Sequence, residues 1–375
     1  MVRLGDVGKV ITGNTPKTSE VQNYASNDIC FVKPSDIAEG FVSYLNDSEF
    51  YISEHARAKA RVLPPKSVLV TCIGIIGKVA INTVECAFNQ QINAIIPNES
   101  KCVPEYLAYA IQNKQTEMRD IANAPVVPIL NKTQFSNVEI KLPSLAEQAE
   151  LVEKLNAVFE LIIMRKAQLA KLDELVKSRF IELFGSVEDN RFGIKTVKIK
   201  DACELINGKA FKPEDWSDNG LPIVRIQNLN NEQAPFNYFE GEVKEQYLID
   251  TGELLFSWSG TPGTSFGAFF WNRGKAVLNQ HIFRVKPKLE FNLLFLQFAL
   301  NGRIDFIISK AHGGVGLQHI TKKELDEVEL LLPSVEQQNQ FAAFVEQTDK
   351  SKFEIQKSLE KLETLKKALM QKYFG

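Results

Sequence analysis

The chain repeats itself, and no other feature limits its fold as strongly, because a duplicated chain must build one kind of unit twice. The strongest match sets Leu142-Pro143-Ser144-Leu145-Ala146-Glu147-Gln148 against Leu332-Pro333-Ser334-Val335-Glu336-Gln337-Gln338, an offset of 190 residues. The same offset links Asn89-Gln90 with Asn279-Gln280 and Phe184-Gly185 with Phe374-Gly375. Near the start of each half, Val2-Arg3-Leu4-Gly5-Asp6 aligns with Val197-Lys198-Ile199-Lys200-Asp201, and Gly13 with Gly208, at an offset of 195. Surface loops tolerate insertions of that size. The matches keep one order along the chain, which chance does not supply.

Each half divides in two. Residues 1–142 and 186–332 hold short apolar runs punctuated by Gly, Pro and Asn. Ser67-Val68-Leu69-Val70-Thr71-Cys72-Ile73 precedes Gly74-Ile75-Ile76-Gly77, and Glu253-Leu254-Leu255-Phe256-Ser257-Trp258-Ser259 precedes Gly260-Thr261-Pro262-Gly263. Such β-branched and aromatic runs, closed by glycine turns, predict strands. Helices are predicted over Pro104 to Arg119 and Leu293 to Ser309, so the globular parts are mixed α and β.

Residues 143–185 and 333–375 each predict one long helix. In the first, Leu151, Leu155, Val158, Ile162, Leu169, Leu172, Val176 and Leu183 form a heptad seam, interrupted by Arg165 and Arg179. Their counterparts 190 residues later are Phe341, Val345, Thr348, Lys352, Leu359, Leu362, Lys366 and Tyr373, with Ile355 and Leu369 answering the two arginines. Ser144 and Ser334 stand at the N-cap, and Glu147 and Gln337 complete capping boxes. Gly185 and Gly375 stand where the helices stop. About 35 residues at about 1.5 Å each would make a rod of roughly 50 Å, longer than a domain of this size is wide. Two such stripes, each with polar interruptions, would bury best on each other. The expectation is an α+β chain: two similar domains separated by two long helices in an antiparallel coiled coil. The alternative, two surface helices packed each on its own domain, is disfavoured by the length.

Composition narrows the class. At 375 residues, 44% hydrophobic and 24% charged, the chain has room for two or three cored domains and is neither fibrous nor disordered. No apolar run approaches a membrane span, and Met1-Val2-Arg3-Leu4 opens no signal core. Cys30, Cys72, Cys86, Cys102 and Cys203 are scattered, which suits buried thiols in the cytoplasm and neither disulfides nor zinc. A net charge of −2 gives no support to a generally basic nucleic-acid binder, so a DNA role needs local clustering.

Two similar but divergent heads on a rigid spacer make a ruler. Duplex DNA repeats every 34–36 Å or so, and such a spacer would set two heads on successive grooves. A scaffold could use the same shape. The order of globular half, Leu-Pro-Ser helix, second globular half and second such helix resembles the specificity subunit of type I restriction-modification systems over essentially the whole chain. The resemblance includes Leu4-Gly5-Asp6-Val7, Gly13-Asn14-Thr15-Pro16, Gly74-Ile75-Ile76-Gly77-Lys78-Val79-Ala80-Ile81 and Asn89-Gln90-Gln91. The second half departs from it, with Gly208-Lys209-Ala210-Phe211 and Gly260-Thr261-Pro262-Gly263. The resemblance implies a non-catalytic reader of double-stranded DNA. Its two target-recognition domains bind the halves of a split, asymmetric site, and its paired helices dock two methyltransferase subunits. Restriction (translocase and endonuclease) subunits join that core. S-adenosylmethionine, ATP and Mg are expected on those partners, and no cofactor on this chain.

Two rivals remain: a protein-binding scaffold of the same shape, and a DNA-modifying enzyme. The enzyme would need motifs the sequence lacks. There is no Asn-Pro-Pro-Phe/Tyr or Asp-Pro-Pro-Tyr, and Gly77-Lys78, Gly208-Lys209 and Gly274-Lys275 are not followed by Ser or Thr. Gly313-Gly314-Val315-Gly316 reads as a loop between helices. His55, His281, His312 and His319 show no ligand spacing, and neither a catalytic nor a metal site is expected.

The repeat also sorts candidate DNA contacts. What both halves share cannot tell two sequences apart, so Asn89, Gln90, Asn279, Gln280, Thr71 and Ser257 are expected to serve the fold or the phosphate backbone, although Asn and Gln can pair with adenine. Matching places that differ are specificity candidates. Lys33, Ser35 and Asp36 align with Arg225, Gln227 and Asn228, and an alternating strand would put Lys33 with Ser35, and Arg225 with Gln227, on one face. Arg225 would suit guanine, and Gln227 or Asn228 adenine; an ordinary polar strand face is the plain alternative. The turn residues Lys78, Thr261 and Thr264, with Ile75, Ile76 and Pro262, form a second set. Gln91 against His281 is a further differing pair. Lys17, Lys209 and Lys212 would take phosphates. The long helices carry mixed charge, six basic and seven acidic residues in 143–185 and seven and six in 333–375, which fits both a solvated face and a docking face.

Overall fold

A computed structural model describes residues 1–122, 127–260, 266–314 and 317–375. The chain forms two compact units: Met1–Lys166 with Lys357–Gly375, and Ala167–Gln356. Each unit therefore takes one globular half and one end of each long helix.

In the first unit a five-stranded sheet runs in the order Gly8–Thr12, Ile92–Pro97, Val68–Thr71, Val79–Asn82, Ser43–Leu45. All its pairings are antiparallel except the last. A smaller sheet orders Tyr51–Ile52, Ile29–Val32, Cys86–Phe88, Val62–Leu63, with a parallel pair at its centre. Val68 and Val70 join the core beneath the helices, whereas Leu69 faces the core formed with the smaller sheet. A strand packed on both faces needs no polar alternation, which is why this stretch reads as an unbroken apolar run.

The second unit repeats the plan. Cys203–Asn207, Ile282–Pro287, Glu253–Ser257 and Gly267–Trp271 form its antiparallel sheet. Asn237–Phe239, Leu221–Val224, Ala276–Leu278 and Leu248–Ile249 form the smaller one, again with a parallel central pair. Leu254 and Phe256 face one core and Leu255 the other.

The long helices span Leu145–Phe184 and Val335–Phe374, 40 residues each and about 60 Å at about 1.5 Å per residue, longer than the sequence suggested. Ser144 N–H donates to Glu147 Oε2 at 2.9 Å and Ser334 N–H to Gln337 Oε1 at 3.1 Å, so both capping boxes form. Gly185 ends the first helix at φ +71°, a left-handed conformation that glycine adopts without strain.

Within each unit the helix ends run antiparallel. In the first, Leu151, Leu155 and Phe159 pack with Leu369, Met370 and Phe374, Lys366 Nζ lies 4.7 Å over the Phe159 ring, and Lys166 pairs with Glu363 at 3.5 Å. In the second, Phe180 meets Phe341 at 5.3 Å and Lys352 reaches Asp173 at 2.6 Å. The polar seam residues thus keep their stems in the stripe while their charged ends find partners.

Four local expectations need correction. The helices predicted over Pro104 to Arg119 and Leu293 to Ser309 are each two: Pro104–Asn113 with Gln115–Ile121, and Leu293–Asn301 with Ile304–Lys310. The breaks re-aim the chain so that Met118 and Ile307 enter the core. The strands preceding Lys33 and Arg225 stop at Val32 and Val224, so Ser35 and Gln227 are not strand residues sharing a face with them. Gly313 and Gly314 do not lie in a plain loop: His312–Gly314 pairs with Leu317–His319, opposing His312 to His319, while Val315 and Gly316 lie outside the described residues.

Candidate nucleic-acid interface

The strand ends of each unit bring its separate turns together, and the hydrogen bonds that do so recur in both copies. In the first unit Asn89 N–H donates to Val32 O at 3.1 Å, Asn14 N–H to Phe88 O at 3.0 Å, and Cys72 N–H to Gln91 O at 2.8 Å. In the second, Asn279 N–H donates to Val224 O at 3.1 Å, Lys209 N–H to Leu278 O at 2.8 Å, and Trp258 N–H to His281 O at 3.4 Å. Leu130 N–H reaches Cys72 O at 2.9 Å, and Ile320 N–H reaches Trp258 O at 3.2 Å. Four turns from distant sequence positions, with the stretch at Leu130 or Ile320 as a fifth segment, therefore meet at one place in each unit.

The shared glycines explain themselves here. A Cβ on Gly13 would overlap the carbonyl oxygens of Phe88 and Asn89, and one on Gly208 those of Leu278 and Asn279. Only a residue without a side chain lets the first loop lie on the Asn-Gln turn. Asn89 and Asn279 shape that turn: Asn89 Oδ1 accepts from Gln91 N–H at 3.1 Å, and Asn279 Oδ1 from His281 N–H at 3.4 Å. Asn89 is buried, and its Nδ2 donates to Gln91 Oε1 at 2.9 Å. Gln90 is exposed and accepts from Thr15 Oγ1 at 2.7 Å, while Gln280 is half-buried with its Nε2 3.4 Å from His281 Nε2.

Thr71 and Ser257 are fully buried. Thr71 Oγ1 donates to Ile75 O at 2.5 Å and accepts from Lys78 N–H at 3.0 Å; Ser257 Oγ donates to Ser259 O at 3.4 Å. Lys78 Nζ is held by the carbonyls of Pro34 and Ile37, at 3.1 and 2.9 Å.

The aligned Lys33 and Arg225 segments share one turn. Lys33 N–H donates to Asp36 Oδ2 at 2.7 Å and Arg225 N–H to Asn228 Oδ1 at 3.0 Å. This capping geometry is what ends the strands and makes Ile226–Asn230 a short helix. Asn228 is buried, and its Nδ2 donates to Ala234 O and Pro235 O, both at 3.2 Å. Ser35 and Gln227 are exposed. Both cations lie on aromatic rings: Lys33 Nζ is 3.0 Å from the Phe50 centroid, and the Arg225 guanidinium is 5.4 Å from Trp216 while donating to Asn237 Oδ1 at 3.0 Å. Lys209 sits over Phe239 at 3.9 Å and Phe211 at 4.7 Å. Lys17 and Lys212 are exposed, the latter 3.7 Å from Glu214. Thr261 and Thr264 lie outside the described residues.

Burial lowers the His281 pKa from its usual value, which favours the neutral ring. Burial likewise pushes the Cys72, Cys86, Cys102 and Cys203 thiols up to about 12, so they stay protonated. Among the described residues, no cluster of His, Cys, Asp or Glu could hold a metal ion, and no helix is long and apolar enough to cross a membrane.

The single-residue reading missed the aromatic rings beneath the cations, because their sequence distance hides the contact. It also missed the role of Gln148 and Gln338. Both are fully buried, and each accepts a backbone N–H at the start of a distant helix: Val103 at 2.9 Å and Asn292 at 2.9 Å. Their recurrence in the two Leu-Pro-Ser motifs was the available signal.

A family model for the type I restriction modification DNA specificity domain matches residues 1–174 and 193–367. The chain is 29% identical over 249 residues to the MjaIX type I restriction enzyme specificity subunit of Methanocaldococcus jannaschii, covering 60% of this chain and 57% of that one. It is 29% identical over 178 residues to the HindI specificity subunit of Haemophilus influenzae, covering 47% and 38%. The chain thus spans about half the length of these curated relatives, or less. The EcoBI specificity subunit of Escherichia coli aligns over 100% of this chain and 85% of its own, at 20% identity. Two solved structures share the fold. The type I restriction-modification S subunit from M. genitalium covers 100% of this chain and 95% of its own at TM-score 0.58 and 12% identity. A chain solved in a study of complex assembly and conformational transition in the type I R-M system covers 99% and 96% at TM-score 0.62 and 18% identity. With the two matched segments taking in most of its length, the chain belongs to the type I restriction-modification DNA specificity family.

Proposed function

We propose that this chain is the sequence-reading subunit of a type I restriction-modification complex, with each unit binding one half of a split, asymmetric double-stranded DNA site. The observation that carries the reading is the recurrence, at one place in each unit, of the same four-turn frame bearing different side chains. A common frame would set two heads on DNA alike, and the differing residues would make them read different bases. On this reading Thr71, Ser257, Asn89, Asn279, Asp36, Asn228 and Lys78 build the frame. Lys17, Lys209 and Lys212 contact phosphates. Gln90 and Gln280, common to both copies, serve the phosphate backbone, and Lys33, Ser35, Gln91, Arg225, Gln227 and His281 are left to meet bases, with Arg225 suited to guanine.

The long helices dock two methyltransferase subunits, and restriction subunits join them in the cytoplasm. The chain itself is non-catalytic. S-adenosylmethionine, ATP and Mg belong to the partners, which also supply much of the phosphate contact that a net charge of −2 does not.

Co-expression with the neighbouring methyltransferase, followed by base-resolution sequencing of methylated DNA, tests this. A split motif is expected, and exchanging residues 1–142 for those of a divergent relative should change one half only. A complex that forms and methylates no motif would count for a protein scaffold, and methylation by the chain alone would refute the non-catalytic assignment.

A further inference from the structure

The two units differ in one polar detail at the turn cluster. In the second unit, Trp258 Nε1 and His281 Nδ1 are both buried and have no hydrogen-bond partner. No buried side-chain nitrogen or oxygen at the equivalent place of the first unit is left unpaired among the described residues. The two rings are neighbours, with centroids 5.4 Å apart, and Trp258 stacks on Phe283 at 5.7 Å, which holds the indole in place. Gln280 Nε2 lies 3.4 Å from His281 Nε2, and we assign the amide as the donor in that contact, which places the ring proton on Nδ1. Both orphaned groups are therefore N–H donors.

An unmade hydrogen bond at a buried donor is costly, and two side by side call for an acceptor from outside the chain. Extending the assignment of the second unit as a reader of one half-site, on which this inference rests, we propose that Trp258 and His281 form a donor pair that reads a guanine by its O6 and N7 acceptors. Guanine is the base that presents two adjacent acceptors in the major groove. A phosphate also accepts, but it favours charged donors, and an indole with a neutral imidazole brings no charge. The location agrees with a base contact. Trp258 and His281 occupy the places that Cys72 and Gln91 hold in the first unit, so this is a point at which the two heads differ in chemistry on a common backbone. Because both N–H groups are covered, an acceptor reaches them only when neighbouring side chains part, and recognition here is coupled to a local opening.

The test uses the full chain in complex with its co-expressed methyltransferase and randomised double-stranded oligonucleotides, selected by binding and sequenced, with Trp258→Phe and His281→Gln compared to the parent. Trp258→Phe keeps the stack on Phe283 and removes one donor; His281→Gln installs the residue that the first unit carries. The parent should select a guanine at a defined position of the second half-site. Each variant should relax that position by about tenfold or more while leaving the first half-site intact. Indole fluorescence should change on binding the selected duplex in the parent more than in Trp258→Phe.

Equal loss of affinity for all sequences would make this a phosphate contact and overturn the proposal. Unchanged selection would leave the donors to a buried water and overturn it too. A split motif without a guanine in its second half refutes the donor pair alone, whereas no motif in either half refutes the reader and the donor pair together.

Discussion

The same spot in the two units is filled in opposite ways. In the first, Thr12 Oγ1 donates to Asn93 Oδ1 at 2.6 Å, Asn93 Nδ2 donates to Leu130 O at 3.1 Å, and Cys72 lies buried beside them. In the second, the strand register puts Asn207 and Phe283 where Thr12 and Asn93 stand, and Phe283 stacks on Trp258. One unit closes its turn cluster with a satisfied polar chain; the other closes it with rings and leaves two donors open. Neither choice disturbs the backbone, because the frame is held by main-chain hydrogen bonds and by two glycines that both copies keep. Chemistry can diverge at such a spot without altering the backbone.

The harshest way to break the comparison is to put a side chain on those glycines. Gly13→Ala and Gly208→Ala each drive a Cβ into two carbonyl oxygens, and each should cost about 3 kcal/mol or more, since backbone rather than a pliable side chain is struck. Denaturant unfolding of the two variants should show losses of similar size; unequal losses would mean that the copies do not share the contact in solution.

Gln148→Ala and Gln338→Ala come next, at about 1–3 kcal/mol for each buried backbone group left unpaired. Gln148 serves three groups, accepting from Val103 N–H and donating to Lys101 O and Pro143 O, whereas Gln338 serves Asn292 N–H and Pro333 O. The same denaturation measurement should therefore show the larger loss for Gln148→Ala. Equal losses would show that the extra bond to Lys101 contributes nothing.

The smallest effect is a pH difference in the caps. Asn131 caps Lys132–Ser136 with Gln134, and Thr321 caps Lys322–Asp326 with Glu324, the equivalent helix of the second unit. Hydrogen bonds from Thr321 and His312 hold the Glu324 carboxyl down at about 2, below its ordinary 4.5. A lowered carboxyl stabilises the fold above pH 4.5, and that contribution fades as pH falls from there towards 2. Amide exchange across Lys322–Asp326 should accelerate over this window while Lys132–Ser136 holds. The order reverses at the long helices, where Ser144 holds the Glu147 carboxyl below its usual range and the matching residue is the non-ionising Gln337. Acid should therefore loosen the start of the first long helix and spare the second.

Much of this molecule is legible in one dimension. The 190-residue offset announces two units, the heptad positions announce the helix stripes, and Ser144, Ser334 and Gly185 mark helix ends. These signals are local or periodic, so each can be read without knowing what lies opposite. The turn cluster was less legible. Reading Lys33 and Ser35 as one strand face failed because Asp36 folds back on the Lys33 amide, and Arg225 met the same fate through Asn228. Lys78, a specificity candidate of the turn set, instead gives its ammonium to two carbonyls.

The sequence by itself determined that there are two mixed α and β units of one design, two long capped helices, a repeated Asn-Gln pair and a repeated glycine near the start of each half. Only the tertiary structure decided how the pieces are shared. Each compact unit draws on the start of one long helix and the end of the other, or the reverse. It also decided which polar side chains of the turn cluster hold the frame, and that Trp258 and His281 alone leave donors unpaired there among the described residues. The reason is physical. Periodicity and capping depend on neighbours within a few residues, whereas a polar group's freedom depends on which distant carbonyl the fold brings within about 3 Å of it.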